Sequence, residues 1–157
     1  LLDIWARVRE RGAPFADMTW MGFCGFRMSR EEDSVFRAVI GARDASLRFL
    51  RRGLARGDFP TGSETDTTAR RFLGKHGYEN QFLHSLGHPL GFHSPHGKGV
   101  PLSLKMGKSS LELRVGYTIE PGVYLKNRFG VRSEIDFYID KNEVVITTPV
   151  QRKITLV

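Results

Sequence analysis

The stretch from Tyr117 to Ile139 constrains the fold more than any other part of the chain. It reads Tyr-Thr-Ile-Glu-Pro-Gly-Val-Tyr-Leu, a short polar break, then Gly-Val-Arg-Ser-Glu-Ile-Asp-Phe-Tyr-Ile. Two apolar runs of strand length about a turn predict a pair of strands. In the second run Val131, Ser133, Ile135 and Phe137 share one face, and Arg132, Glu134, Asp136 and Tyr138 share the other, because strand side chains alternate. Glu120 sits between Ile119 and Pro121, ahead of a Pro-Gly pair expected to bend the strand or interrupt its ladder. A carboxylate inside an apolar strand is costly unless a cation or metal balances it. Taken alone, Glu120 and Glu134 read first as solvated or salt-bridged residues of edge strands, with Arg132 as local counter-charge.

At 157 residues, with 40% hydrophobic and 26% charged content, the composition is that of one soluble globular domain. No apolar run is long enough to cross a bilayer and no leader precedes the first strand, so the expectation is a cytoplasmic protein without a membrane partner. Cys24 is the single cysteine, which rules out an internal disulfide or a thiolate cluster and leaves histidines and carboxylates as ligands. The net charge of +7 invites a nucleic-acid partner. The basic residues are scattered, however, and the densest group (Arg43, Arg48, Arg51, Arg52 and Arg56) reads as the solvated face of a helix. No nucleic-acid motif accompanies them, so none is expected.

Residues 1–8 and 14–24 are apolar and aromatic runs about a charged loop, which predicts a hairpin. Each strand carries one Asp, Asp3 and Asp17, expected at facing places; because Asp is depleted in strands, the pair is less ordinary than either alone. Asp capping local backbone groups is the simpler alternative. Ser29 and Glu32 form a capping box before a helix that Gly57 and Pro60 end. A second helix is expected from an N-cap at Ser63 to a stop at Gly77. Residues 82–102 hold four of the five histidines, at 84, 88, 93 and 96, among glycines and prolines. That segment reads as strand, tight loop, strand, and its imidazoles as a metal or acid/base site without a His-Glu-x-x-His spacing. Residues 101–116 read as a surface loop with a short strand near 111–113, and 143–148 as a further strand.

Asp3, Asp17, the His84-x-x-Gly87-His88-x-x-Gly91 segment, Thr118-Ile119-Glu120-Pro121-Gly122 and Val131-Arg132-Ser133-Glu134 together resemble the metallopeptidases of the pita-bread fold. That family comprises methionine aminopeptidases, Xaa-Pro aminopeptidases and prolidases, and the Xaa-Pro branch is the more similar. The resemblance implies an α+β fold, a curved and mostly antiparallel sheet covered by helices. Residues 1–157 would be the larger, C-terminal part of a single catalytic domain that is N-terminally incomplete. By that comparison it would lack most of the first half and an upstream histidine.

The resemblance implies Asp3, Asp17, His88, Glu120 and Glu134 as metal ligands, Asp17 and Glu134 bridging two divalent ions. Four carboxylates balance two such ions and the neutral imidazole adds no charge; oxygen donors with one His favour Mn or Co, with Fe or Zn also accepted. A hydroxide shared between the ions would hydrolyse an N-terminal peptide bond of a peptide substrate, in particular Xaa-Pro, with Glu120 moving the proton. His84 and His96 would bind substrate and steady the tetrahedral intermediate, while Arg132 and Tyr124 brace the site and contact the reacting group. His93 is the alternative to His96, at five residues from His88 rather than eight. The spacing from Asp3 to Asp17 is long for the family, and Ser85 stands where Gly is common. A homodimer is compatible with the resemblance. Two alternatives share the fold: a non-catalytic peptide- or protein-binding module, and a metal-free amidinohydrolase of the creatinase type, to which five ligand positions would be of no use.

Overall fold

A computed structural model describes all of residues 1–157. Strands β1 (Leu2–Ala6) and β2 (Ala16–Trp20) form an antiparallel hairpin, and β3 (Gly22–Phe23) follows at once. Two helices, α1 (Arg30–Ala55) and α2 (Gly62–Lys75), precede β4 (Gly116–Ile119), β5 (Gly122–Leu125), β6 (Phe129–Arg132), β7 (Ile135–Asp140), β8 (Glu143–Ile146) and β9 (Thr155–Leu156).

The long hairpin predicted over 117–139 is present, broken where Glu120 and Pro121 were expected to break it. β4 pairs with β7 as far as Ile119 and Ile135, and β5 pairs with β6 from Gly122 and Arg132. Residues 120–121 and 133–134 lie in the gap between the two ladders. Only Ser133 N donating to Pro121 O (3.2 Å) spans it. β8 extends the β4–β7 ladder, giving a three-stranded antiparallel sheet. The one parallel pairing, β3 with β9, was not anticipated: the C-terminal tail runs beside residues 22–23.

Both helices begin as the capping-box chemistry requires. Ser29 and Glu32 cap α1. For α2 the cap is Thr61 with Glu64 rather than Ser63, because Thr61 satisfies the N3 amide while the Glu64 carboxylate returns to the Thr61 N–H. Val35, Val39, Ala42, Leu50 and Leu54 of α1, Ala69 and Leu73 of α2, and Ile119, Ile135, Phe137 and Ile139 of the sheet are fully sealed members of one continuous core.

Two expectations fail for definite reasons. Residues 82–102 form no named strand, because Pro89 lacks a donor and the turns about Gly91 and Gly97 break any long ladder. Residues 86–90 nevertheless run along β4, with Leu90 N donating to Gly116 O (2.7 Å), Thr118 N to His88 O (2.9 Å) and Glu120 N to Leu86 O (2.7 Å). A Cβ on Gly87 would stand 2.1 Å from Thr118 O, so this close approach admits only glycine. Nor do residues 111–113 form a strand: Leu111 N is held by Pro60 O at 3.0 Å instead.

Arg43 also departs from expectation. It is not on a solvated face but wholly buried, where Nη1 donates to Ser133 Oγ (2.8 Å) and Gln151 O (2.9 Å), and Nε and Nη2 to Asp44 Oδ1 (2.9 and 2.8 Å). Helical spacing placed it among arginines of similar sequence context without showing which side of α1 it occupied. Replacing Arg43 by Ala strands Ser133 and a buried carbonyl. Urea unfolding of Arg43→Ala is therefore expected to show a loss of about 3 kcal/mol, whereas the exposed Arg48→Ala stays within about 0.5 kcal/mol of the parent.

Candidate metal centre

Three parts of the chain converge on one cavity of about 550 Å³. The β1–β2 hairpin delivers two carboxylates. In its register Asp3 faces Thr19 and Asp17 faces Trp5, so the aspartates are diagonal rather than opposite. The offset leaves both on one face of the hairpin, since cross-strand partners and alternate residues share a face. The 86–90 segment, laid along β4, supplies His88. The gap between ladders supplies Glu120 and Glu134, released there from the regular pleat. All five side chains line the cavity, with His84, His96 and Arg132.

Asp17, His88 and Glu134 each offer a ligand atom within 4.8 Å of the other two. His88 Nε2 lies 3.7 Å from Asp17 Oδ2 and 3.6 Å from Glu120 Oε1, both longer than hydrogen bonds. The other ring nitrogen, Nδ1, meets Pro89 O at 3.0 Å. A carbonyl can only accept, so Nδ1 carries the proton and the Nε2 lone pair faces the carboxylates. This is the tautomer a metal-binding imidazole needs, fixed by the bond its second nitrogen makes.

Arg132 pairs with Asp3 and reaches Glu120 at 3.6 Å and Glu134 at 3.9 Å. Its Nε donates to Thr19 Oγ1 at 2.7 Å, and the Thr19 hydroxyl in turn donates to Glu134 Oε2 at 2.6 Å. Thr19 is thus a relay that the sequence reading overlooked, although its alternation with Asp17 on β2 would have placed it on the same face. Asp136 was also overlooked as a support. Its Oδ2 accepts the backbone N–H of Asp17 at 2.8 Å and so fixes the strand that presents that carboxylate.

One guanidinium does not balance four carboxylates. Burial raises the pKa of Glu134 to about 8, with Glu120 adding repulsion and the Thr19 bond opposing it. Burial likewise raises Glu120 to about 7; Arg132 lowers it, and Asp17 and Asp3 raise it. Asp17 is pushed up by burial and then by Asp3, and Asp136 rises to about 7, chiefly through burial. Carboxylates crowded so that some must hold protons, facing an imidazole lone pair, are a donor set suited to divalent cations.

His84 lies across the cavity. Its Nδ1 meets Ser85 O at 2.8 Å, which leaves Nε2 to accept the Tyr124 hydroxyl at 2.7 Å. Tyr124 is not among the lining residues; it acts behind His84. His96 packs against His88 with ring centroids 4.0 Å apart and planes tilted by 35°, whereas His93 is exposed and does not line the cavity. Of the two alternatives, His96 is the one that reaches the site. Trp5 and Met106 supply the cavity's apolar wall.

A basin of carboxylates and imidazoles on mostly antiparallel strands backed by two helices defines the class of protein: a pita-bread fold around a donor set suited to divalent cations. The sequence matches metallopeptidase family M24 over residues 1–141, and the chain belongs to that family. It is 33% identical over 118 residues to the putative dipeptidase YkvY of Bacillus subtilis, covering 75% of this chain and 30% of that protein. To the Xaa-Pro dipeptidase of Pyrococcus furiosus it is 26% identical over 126 residues, covering 80% and 34% of the two chains. Among solved structures, the X-Pro aminopeptidase of Thermotoga maritima superposes with a TM-score of 0.78 at 31% identity, over 92% of this chain and 38% of that one. The prolidase of Thermococcus sibiricus gives 0.80 at 27% identity, over 92% and 36%. The chain therefore spans about a third of the length of these relatives. No helix is long and apolar enough to cross a membrane.

The raised carboxylate pKa values fix a sign. A group whose folded pKa exceeds its unfolded value stabilises the fold fully below the unfolded pKa, here 4.5 for the glutamates, and loses that contribution as pH rises through about 7 and 8. In chelator, the melting temperature is expected to fall between about pH 5 and pH 9. Glu134→Gln should flatten that fall, and added Mn²⁺ should restore stability most at the alkaline end. Thermal melts across pH check all three.

Proposed function

We propose that this chain is the larger, C-terminal part of a single metallopeptidase catalytic domain. Its site hydrolyses an N-terminal peptide bond, with Xaa-Pro peptides as the favoured class. The observation that supports this most directly is the convergence of Asp17, His88 and Glu134 on one point, with Asp3 and Glu120 beside them, in a member of family M24. The names of the relatives favour the bond before proline.

Asp3, Asp17, His88, Glu120 and Glu134 would hold two divalent ions, with Asp17 and Glu134 shared. Mn or Co suits this oxygen-rich set, and Fe or Zn is accepted. Such ions supply Lewis-acid polarisation and bring the pKa of water toward neutrality. The protein's own residues perform the remaining tasks. Glu120 would take a proton from water and pass it to the leaving nitrogen. His96 faces the cavity as a donor to a substrate carbonyl or its tetrahedral product, and His84, whose Nδ1–H is bound to Ser85 O and whose Nε2 accepts from Tyr124, would contact substrate from the same wall. Arg132, tied to Asp3, Glu120, Glu134 and Thr19, holds the carboxylates in register. Tyr124 orients His84 through its hydroxyl, and Trp5 and Met106 offer an apolar wall to a substrate side chain.

The test is hydrolysis of Xaa-Pro dipeptides and longer Xaa-Pro peptides by purified protein, with bound metals measured before and after chelation. Activity should disappear with the metal and return with Mn²⁺ or Co²⁺. Glu134→Ala should lose on the order of a thousandfold or more in kcat/KM, the scale of removing a main electrostatic stabiliser. Cleavage that persists in excess chelator, or an undiminished Glu134→Ala, excludes the proposal.

A further inference from the structure

Asp66 and Arg70 stand one turn apart on α2, outside the cavity, on a helix that supplies none of its walls. Asp66 is buried, its side chain 1% exposed. Oδ2 accepts the N–H of Leu104 at 2.7 Å and faces Arg70 Nη2 at 3.4 Å. Oδ1 stands 2.9 Å from Arg70 Nε but makes no aligned hydrogen bond, so that contact is purely an ion pair. Beyond the pair, Arg70 Nη1 donates to Phe82 O at 3.0 Å and Nη2 to His84 O at 2.5 Å. The guanidinium also lies 4.3 Å from the centre of the Phe82 ring, which meets the His84 ring edge-on at 5.0 Å.

We infer that Asp66 and Arg70 form a strut that sets the position of His84, and through it the Tyr124 hydroxyl; this rests on the role given to His84 above. Residues 82–85 themselves belong to no helix or strand, and the carbonyls of Phe82 and His84 accept no backbone N–H. A single planar fork satisfies both carbonyls and stacks on the ring between them, while a carboxylate sealed in the protein fixes the fork. Lysine cannot reproduce this, because a point charge neither spans two acceptors nor stacks in the same way. Asp66 also grips Leu104, two residues before Met106 in the cavity wall, so the strut registers two loops at once. Arg70 does not line the cavity, and its role is positioning.

A double-mutant cycle with His84→Ala separates positioning from general support of the fold, because residues acting through one another are not additive. Arg70→Met in the parent should lower kcat about 10- to 100-fold, the scale expected when a reacting group is misplaced by about 1 Å, with KM within about threefold and bound metal unchanged. In the His84→Ala background the same change should cost less than about twofold, and Arg70→Lys should recover only part of the parent activity. An equal loss in both backgrounds, or no loss in the parent, overturns the strut. If the parent hydrolyses no peptide, the proposal of the preceding section fails but the strut is still read on the imidazole nitrogens of His84 by NMR. The parent should show one tautomer protonated at Nδ1, and Arg70→Met a mixture; an unchanged spectrum overturns the inference. Should Arg70→Met not fold, Asp66→Asn removes the charge while keeping the shape and is read in the same two ways.

Discussion

Four carboxylates share a small cavity with a single guanidinium, and the surrounding architecture is what keeps like charges so close. Desolvation and mutual repulsion push Glu120 and Glu134 far above the usual carboxylate range, and Arg132, which pairs with three of the four, does not offset them all. The assembling forces lie outside. The Asp17 backbone is held by Asp136, Glu134 by Thr19, and His88 by the Pro89 carbonyl and by its segment's bonds to β4. The free energy that holds the charges together comes from the apolar core beneath, where burial of residues such as Ile119, Ile135 and Phe137 dominates.

The break in the long hairpin serves the same end. An unbroken ladder would fix Glu120 and Glu134 in the regular alternation of a pleat, one residue per step. Pro121 cannot donate into the ladder, and the gap opposite it lets both glutamates turn toward one point. α1 reaches this gap from behind, because Arg43 donates to Ser133, the neighbour of Glu134. A buried arginine in a helix with no residue in the cavity therefore connects the hydrophobic core to the opening that presents two ligands.

Much of this was legible in the residues. The capping box at Ser29, the hairpin with its two aspartates, and the interruption at Glu120-Pro121 each follow from local chemistry, which is short-ranged and leaves a mark in sequence. What stayed hidden depends on long-range packing. Arg43 and Arg48 look alike in sequence, and only the side of α1 that meets Ser133 separates them. The segment about His88 borrows its bonds from β4 rather than forming a strand of its own, so periodicity could not place it. The offset of Asp3 from Asp17 depends on hairpin register, which a loop of several residues leaves undetermined. His93 and His96 could not be separated by spacing, because the loop doubles back between them.

The pairing of β3 with β9 has a consequence for the hairpin edge of the cavity. Gln151 is buried, with its Oε1 accepting Met21 N at 2.8 Å and its Nε2 donating to Met21 O at 2.7 Å. The chain directly after the strand that carries Asp17 is thus moored by residues outside the 1–141 that match the family. The contact joins positions 130 residues apart, so it closes a long loop of chain. Releasing residues 151–156 would therefore loosen the edge that presents Asp3 and Asp17 without touching a single candidate ligand.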